Sequence, residues 1–242
     1  GRVRLAAAMR LDARVQGRNQ LLPISVVVAA LGSGMLAWLS TPERLARTVP
    51  LGVLAFVGGS TLLYVMAMIV LERADGTLAA LIVSPLRPAE YLGSKVVTLT
   101  ALASVEAAIL VGGTYGLLAA QGQSAPLPRL ALLALGVVVL GVLHVLLGVV
   151  IVVPHRRLMD VLVPMSLVAL VLQAPAVWFV GAVDAPWLLA IPSAPPTMLV
   201  RGAFVPLAPW EWAYGLGGSA LVIAVAMPWA LRRFRRYVVE AG

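Results

Sequence analysis

Residues 130–153 read Leu-Ala-Leu-Leu-Ala-Leu-Gly-Val-Val-Val-Leu-Gly-Val-Leu-His-Val-Leu-Leu-Gly-Val-Val-Ile-Val-Val, and none of them is Asp, Glu, Lys or Arg. A helix of about 20 apolar residues is long enough to cross the hydrocarbon core of a bilayer. A strand of a membrane barrel would alternate apolar and polar side chains. This stretch does not alternate, and neither does Val26-Val27-Val28-Ala29-Ala30. Five more segments have the same character: 21–39, 49–71, 96–118, 161–181 and 213–231. The composition of the whole chain agrees. Of 242 residues, 61% are apolar and 12% are charged, about half the usual globular share of charge. A water-facing surface needs more charge than that, and a disordered chain would be poorer in apolar residues. The sequence therefore predicts an all-α integral membrane protein, one transmembrane unit of six helices over residues 1–242. No cysteine is present, which excludes disulfides, thiolate metal sites and a Cys nucleophile. No metal site or bound cofactor is expected.

Six spans put both termini on one side. Fourteen of the 18 basic residues fall on that side, in the N-terminal arm, the segments after spans two and four, and the C-terminal tail; only Arg44, Arg47, Arg129 and Arg201 fall on the other. Cytoplasmic loops carry the excess of Lys and Arg, so both termini are expected in the cytoplasm of a plasma-membrane protein. The net charge of +8 is then an orientation signal and not a nucleic-acid footprint. Trp38, Trp178, Trp187, Trp210 and Trp212 gather near the expected outer interface, where amphipathic rings are favoured. The first 20 residues lack the apolar core of a cleavable signal. In them Leu5, Ala8, Met9 and Val15 form one arc of a helix, with Arg10, Arg14 and Arg18 opposite. That pattern predicts an interfacial helix within residues 1–20, its arginines toward lipid headgroups.

Between spans two and three, residues 72–95 read Glu-Arg-Ala-Asp-Gly-Thr-Leu-Ala-Ala-Leu-Ile-Val-Ser-Pro-Leu-Arg-Pro-Ala-Glu-Tyr-Leu-Gly-Ser-Lys. Asp75 and Thr77 flank Gly76 and can cap a short helix. Pro85 stops that helix, because the residue before a proline avoids helical backbone. Pro88 suits the first turn of the next one. The apolar residues Leu78, Leu81 and Ile82 have no bilayer at that height, and need a protein groove.

These residues carry a resemblance. Glu72-Arg73, Gly76-Thr77-Leu78, Ser84-Pro85, Arg87, Glu90-Tyr91-Leu92 and Lys95 resemble the first cytoplasmic loop of ABC-2 type exporter permeases, especially drug and fluoroquinolone exporters. The sequence departs at Ala79, where that family often carries an acidic residue. The resemblance implies that the short helix is a coupling helix seated in a separate ABC ATP-binding subunit. It also implies a homodimer or a heterodimer with a second permease, with ATP and Mg held by the partner. In agreement, no Gly-x-x-x-x-Gly-Lys-Ser/Thr string occurs here, so the chain has no phosphate-cradling loop of that kind. The chain would be a transport subunit, not an enzyme, moving a lipophilic or amphipathic molecule with membrane lipids around it.

Ionisable groups at membrane depth are costly. Glu106 and His144 sit near the middle of spans three and four, and Gln173 lies on span five. Glu106 and His144 are expected to meet, either as a lining of the substrate path or as a hydrogen bond pinning two helices. Pro164, Pro175 and Pro228 are expected to kink their helices. Residues 182–212, rich in proline and tryptophan, read as an external re-entrant or interfacial hairpin. Two other functions compete. One is a haem-exporter-type permease of similar topology. The other is an intramembrane serine protease built on Ser33, in Gly32-Ser33-Gly34, with His144 as its base.

Overall fold

The computed structural model describes residues 2–74, 87–155 and 157–241. Among these, α1 (Arg2–Arg18) precedes six helices long and apolar enough to cross a membrane. They are α2 (Leu21–Leu39), α3 (Pro42–Ala74), α4 (Pro88–Ala120), α5 (Leu130–Val152), α6 (Leu158–Phe179) and α8 (Pro209–Arg236). A short helix, α7 (Ala194–Gly202), lies between the last two. Gly76, Thr77, Leu78, Leu81, Ser84 and Pro85 fall outside the described residues.

Two helices run well past the apolar windows read from sequence. Helix α4 begins at Pro88, eight residues before the expected 96. Proline tolerates a first turn because its missing N–H would have no partner there. Glu90 closes that turn by accepting from the Arg87 N–H at 2.9 Å. The window stopped early because Lys95 is a charge, and a hydropathy window cannot tell that the charge is neutralised inside the protein. Helix α3 likewise begins at Pro42. It is interrupted by a π-helical turn over Val53–Gly58, three residues after Pro50. A second π-helical turn, Tyr214–Gly218, lies in α8. Each has a Gly-Gly-Ser at its C-terminal end, Gly58-Gly59-Ser60 and Gly217-Gly218-Ser219. Of the expected kinks, Pro175 coincides with a break between Gln173 and Ala176. Helical structure continues through Pro164 and Pro228.

The helix pair α4 and α5 is central. Helix α2 packs along α4, while α3, α7 and α8 pack on α5. Residues that lipid-facing helices turn outward are large and apolar, among them Leu31, Leu170 and Leu221. In water such an area would drive aggregation; in lipid it is the required surface. Two apolar clusters fill the interior. One, toward the termini, contains Leu62, Leu99, Leu102 and Val145. The other, toward the opposite end, contains Val57, Ala103, Ala107 and Leu140.

Within residues 182–212, α7 is wedged into the bundle. Ser193, Thr197, Met198, Leu199 and Val200 are fully buried. The Ser193 hydroxyl donates to the Leu172 carbonyl at 2.5 Å, and the Arg129 N–H donates to the Ala203 carbonyl at 2.8 Å. The approach is close enough that a Cβ on Gly136 would lie 2.8 Å from the backbone nitrogen of Val200. Arg201 and Glu211 form an ion pair at 2.6 Å across the turn that leads into α8.

Candidate functional site

The end of the bundle that carries the termini holds a buried ion cluster. Lys95, in the second turn of α4, is 1% exposed. Its ammonium donates to Asp12 of α1 and to Glu72 of α3. The remaining carboxylate oxygens are also engaged: the Tyr91 hydroxyl donates to Glu72 at 2.5 Å, and the Ser94 hydroxyl donates to Asp12. The Tyr91 ring stacks on Phe234 of α8, with centroids 4.6 Å apart and planes 7° from parallel. Lys95 lies 5.0 Å from the centroid of the same ring. Buried charges are tolerated when paired and hydrogen-bonded, and here both conditions are met. Next to Glu72, the Arg73 guanidinium donates to the carbonyls of Val152, Val153 and His155. Val152 is the last residue of α5, where carbonyls run out of intrahelical donors, and Val153 and His155 follow it. At the start of α4, Arg4 pairs with Glu90 at 3.6 Å.

Of the residues read as a loop, Glu72, Tyr91 and Lys95 are therefore helical, buried and joined to each other, while Arg87 and Glu90 form the first cap of α4. They bracket residues 75–86 at both ends. Asp12 was not singled out in the sequence, although it falls at helical spacing on the arc of Leu5, Ala8, Met9 and Val15. Helix α1 places that arc against α4: a Cβ on Gly93 would meet Leu5 at 3.7 Å. Arg10 and Arg14 are exposed on the other side. An acidic residue on the apolar arc of an arginine-rich helix was the available signal.

The second candidate group lies where the two apolar clusters meet. Glu106, near the midpoint of α4, is 0% exposed. The expected meeting with His144 does not occur. Ser60 of α3 donates to Glu106 instead, 2.8 and 2.9 Å from the two carboxylate oxygens. His144 Nδ1 lies 2.8 Å from the Leu140 carbonyl of its own helix, in hydrogen-bond contact, and its Nε2 has no partner. The reason is the course of α3, which passes against both side chains. A Cβ on Gly58 would lie 2.9 Å from His144 Nε2, and two residues on, Ser60 supplies the hydroxyl. Gln173 approaches Gly59 from α6, but no hydrogen bond joins it to Glu106 or His144.

The serine protease reading also fails on geometry. The Ser33 hydroxyl faces backbone carbonyls, 2.7 Å from Ala29 and 3.1 Å from Ile109 and Leu110. No hydrogen bond links it to His144, so no base is in reach to activate it.

Comparison with known proteins extends over almost all of this architecture. The chain is 29% identical to the fluoroquinolones export permease proteins of Mycobacterium tuberculosis strains CDC 1551 and ATCC 25618. Each alignment runs over 248 residues, covering 98% of this chain and 97% of the relative. The family model of the fluoroquinolones export permease proteins matches residues 3–242. That range takes in α1 with Asp12, the bracketed segment 75–86, and the polar layer around Glu106. The chain belongs to the fluoroquinolones export permease protein family.

Proposed function

We propose that the chain is the transmembrane permease subunit of an ATP-driven, ABC-2 type exporter, and that its cargo is an amphipathic drug of the fluoroquinolone kind. The observation that carries the reading is the ion cluster at the foot of the bundle. Glu72 and Lys95 stand on either side of segment 75–86 and pair with each other, and the Lys95 ammonium also holds α1 through Asp12. A push on that segment is passed at once to α1, α3 and α4, and through the Tyr91–Phe234 stack to α8. An external motor needs such a stiff base, because a flexible one would absorb the stroke. Segment 75–86 is then the coupling element, with Leu78 and Leu81 in a groove of a separate ATP-binding subunit that holds ATP and Mg. The arginine-rich end faces the cytoplasm, and the permease works in the plasma membrane as a homodimer or with a second permease.

The test is co-expression with candidate ABC ATP-binding subunits from the same genome, a neighbouring reading frame first. Wild type is expected to retain the ATPase through affinity and size-exclusion steps, and a fluoroquinolone to stimulate ATP hydrolysis by the complex. A Leu78→Asp, Leu81→Asp variant is expected to elute as an intact permease without the ATPase. A wild-type chain that purifies folded and holds no ATPase would overturn the proposal.

A further inference from the structure

We infer that Glu106 is the anionic subsite for the protonated amine of a cationic amphipathic cargo, reached past Ser60 from a groove between α2, α3 and α6. The inference rests on the permease reading and names the charge that its substrate must carry.

A carboxylate removed from water is strongly unfavourable unless a cation or several donors compensate it. Glu106 is fully buried, and among the described residues a single hydroxyl, that of Ser60, serves both of its oxygens. No Lys or Arg pairs with it, in contrast to Asp12, Glu72, Glu90 and Glu211, each of which has a basic partner. The Tyr64 hydroxyl, one turn along α3 from Ser60, is also buried and lies close enough to interact with the same carboxylate. Among the described residues, hydroxyl groups and no cation stand beside the carboxylate.

The groove gives access. It encloses about 360 Å³, within the usual range for a small-molecule site. Its walls are apolar, including Phe56, Leu63 and Met165, and its polar points are Ser60, Ser166 and Gln173. Among the described residues, no basic side chain lines it. An aromatic or aliphatic body would rest on those walls while its ammonium pointed at Ser60 and the carboxylate behind. Ser60 can yield without losing its own hydrogen bond. Its hydroxyl also lies 3.1 Å from the Val57 carbonyl, so turning toward Val57 bares a carboxylate oxygen to the incoming amine. An ammonium–carboxylate contact then replaces a hydroxyl one and neutralises the buried charge, which the hydroxyl alone does not.

The purified chain in lipid nanodiscs tests this without the ATPase, by equilibrium dialysis of nortriptyline, a lipophilic protonated amine, and carbamazepine, an uncharged tricycle of comparable size. Glu106→Gln is expected to weaken nortriptyline binding at least tenfold and to leave carbamazepine within twofold of wild type. Should that variant not fold, Ser166→Trp narrows the exposed mouth of the groove and is expected to weaken nortriptyline to a similar extent. Nortriptyline binding unchanged in either folded variant, or both compounds lost equally in Glu106→Gln, overturns the inference. Because no partner takes part, that failure leaves the exporter reading standing. A missing ATPase complex, in turn, would not alter the binding result.

Discussion

Lys95 gives one ammonium to two carboxylates, all three groups being nearly inaccessible to solvent. Removing it leaves Asp12 and Glu72 buried with only the hydroxyls of Ser94 and Tyr91. Breaking a buried pair from one side costs about 3–5 kcal/mol. Lys95→Met, which keeps most of the side-chain volume, is therefore expected to lose that much stability in detergent-micelle denaturation. Asp12→Asn, which leaves Lys95 paired with Glu72, is expected to lose less. A loss below about 1 kcal/mol for Lys95→Met, the range of exposed ion pairs, would mean that water reaches the cluster. The sequence disclosed part of this. Glu72, Tyr91 and Lys95 stood out together, and Glu106 stood out as a carboxylate in an apolar helix. Their partners did not: Asp12 lies 83 positions from Lys95, and Ser60 lies 46 from Glu106. Periodicity reports which face of a helix is apolar, and carries no information on which distant residue will meet it.

At the scale of elements, apolar runs were read correctly as helices because their length and lack of charge admit little else in lipid. Their ends were less readable, since Lys95 looks like a loop charge until Asp12 is beside it. The π-helical turns left no trace in hydropathy at all, and the Gly-Gly-Ser at the end of each does not by itself specify one. Helix α7 was legible as a segment too apolar for a free loop, but its depth depends on a small residue in a different helix. Gly136 presents hydrogen where any other residue would place a carbon against Val200 backbone. Backbone cannot swing aside as a side-chain tip can. Gly136→Ala is accordingly expected to destabilise the protein by about 1–3 kcal/mol, the usual cost of overpacking, read as a lower melting temperature in nanodiscs. The matched change Gly112→Ala, on α4 with nothing near its Cβ position, is the control. Equal melting temperatures for the two variants would show that α7 can retreat freely.

For the molecule as a whole, the lack of cysteine makes orientation directly measurable. Gln121, at the turn after α4, and Arg235, near the C-terminal end of α8, are exposed at opposite ends of the bundle. With a membrane-impermeant maleimide on intact cells, Gln121→Cys is expected to react and Arg235→Cys to react only after lysis. The reverse pattern would turn the whole protein over, and with it the side on which a motor could sit. The charge bias that underlies this expectation is a property of the chain as a whole, which is why it was readable before any contact was known.

The π-helical turn at Val53–Gly58 has a rotational meaning. At 3.6 residues per turn, each residue of an α-helix is worth about 100°. A surplus residue folded into one turn sets the outer part of α3 out of phase with the inner part by about that angle. Were the turn regular, with one residue fewer, the bearing that now belongs to Ser60 would pass to another side chain relative to the outer half of the helix. The partner of Glu106 is thus selected by a count as much as by a composition. A single deletion between Pro50 and Gly58 would rewrite the polar layer while leaving every side chain in it chemically intact.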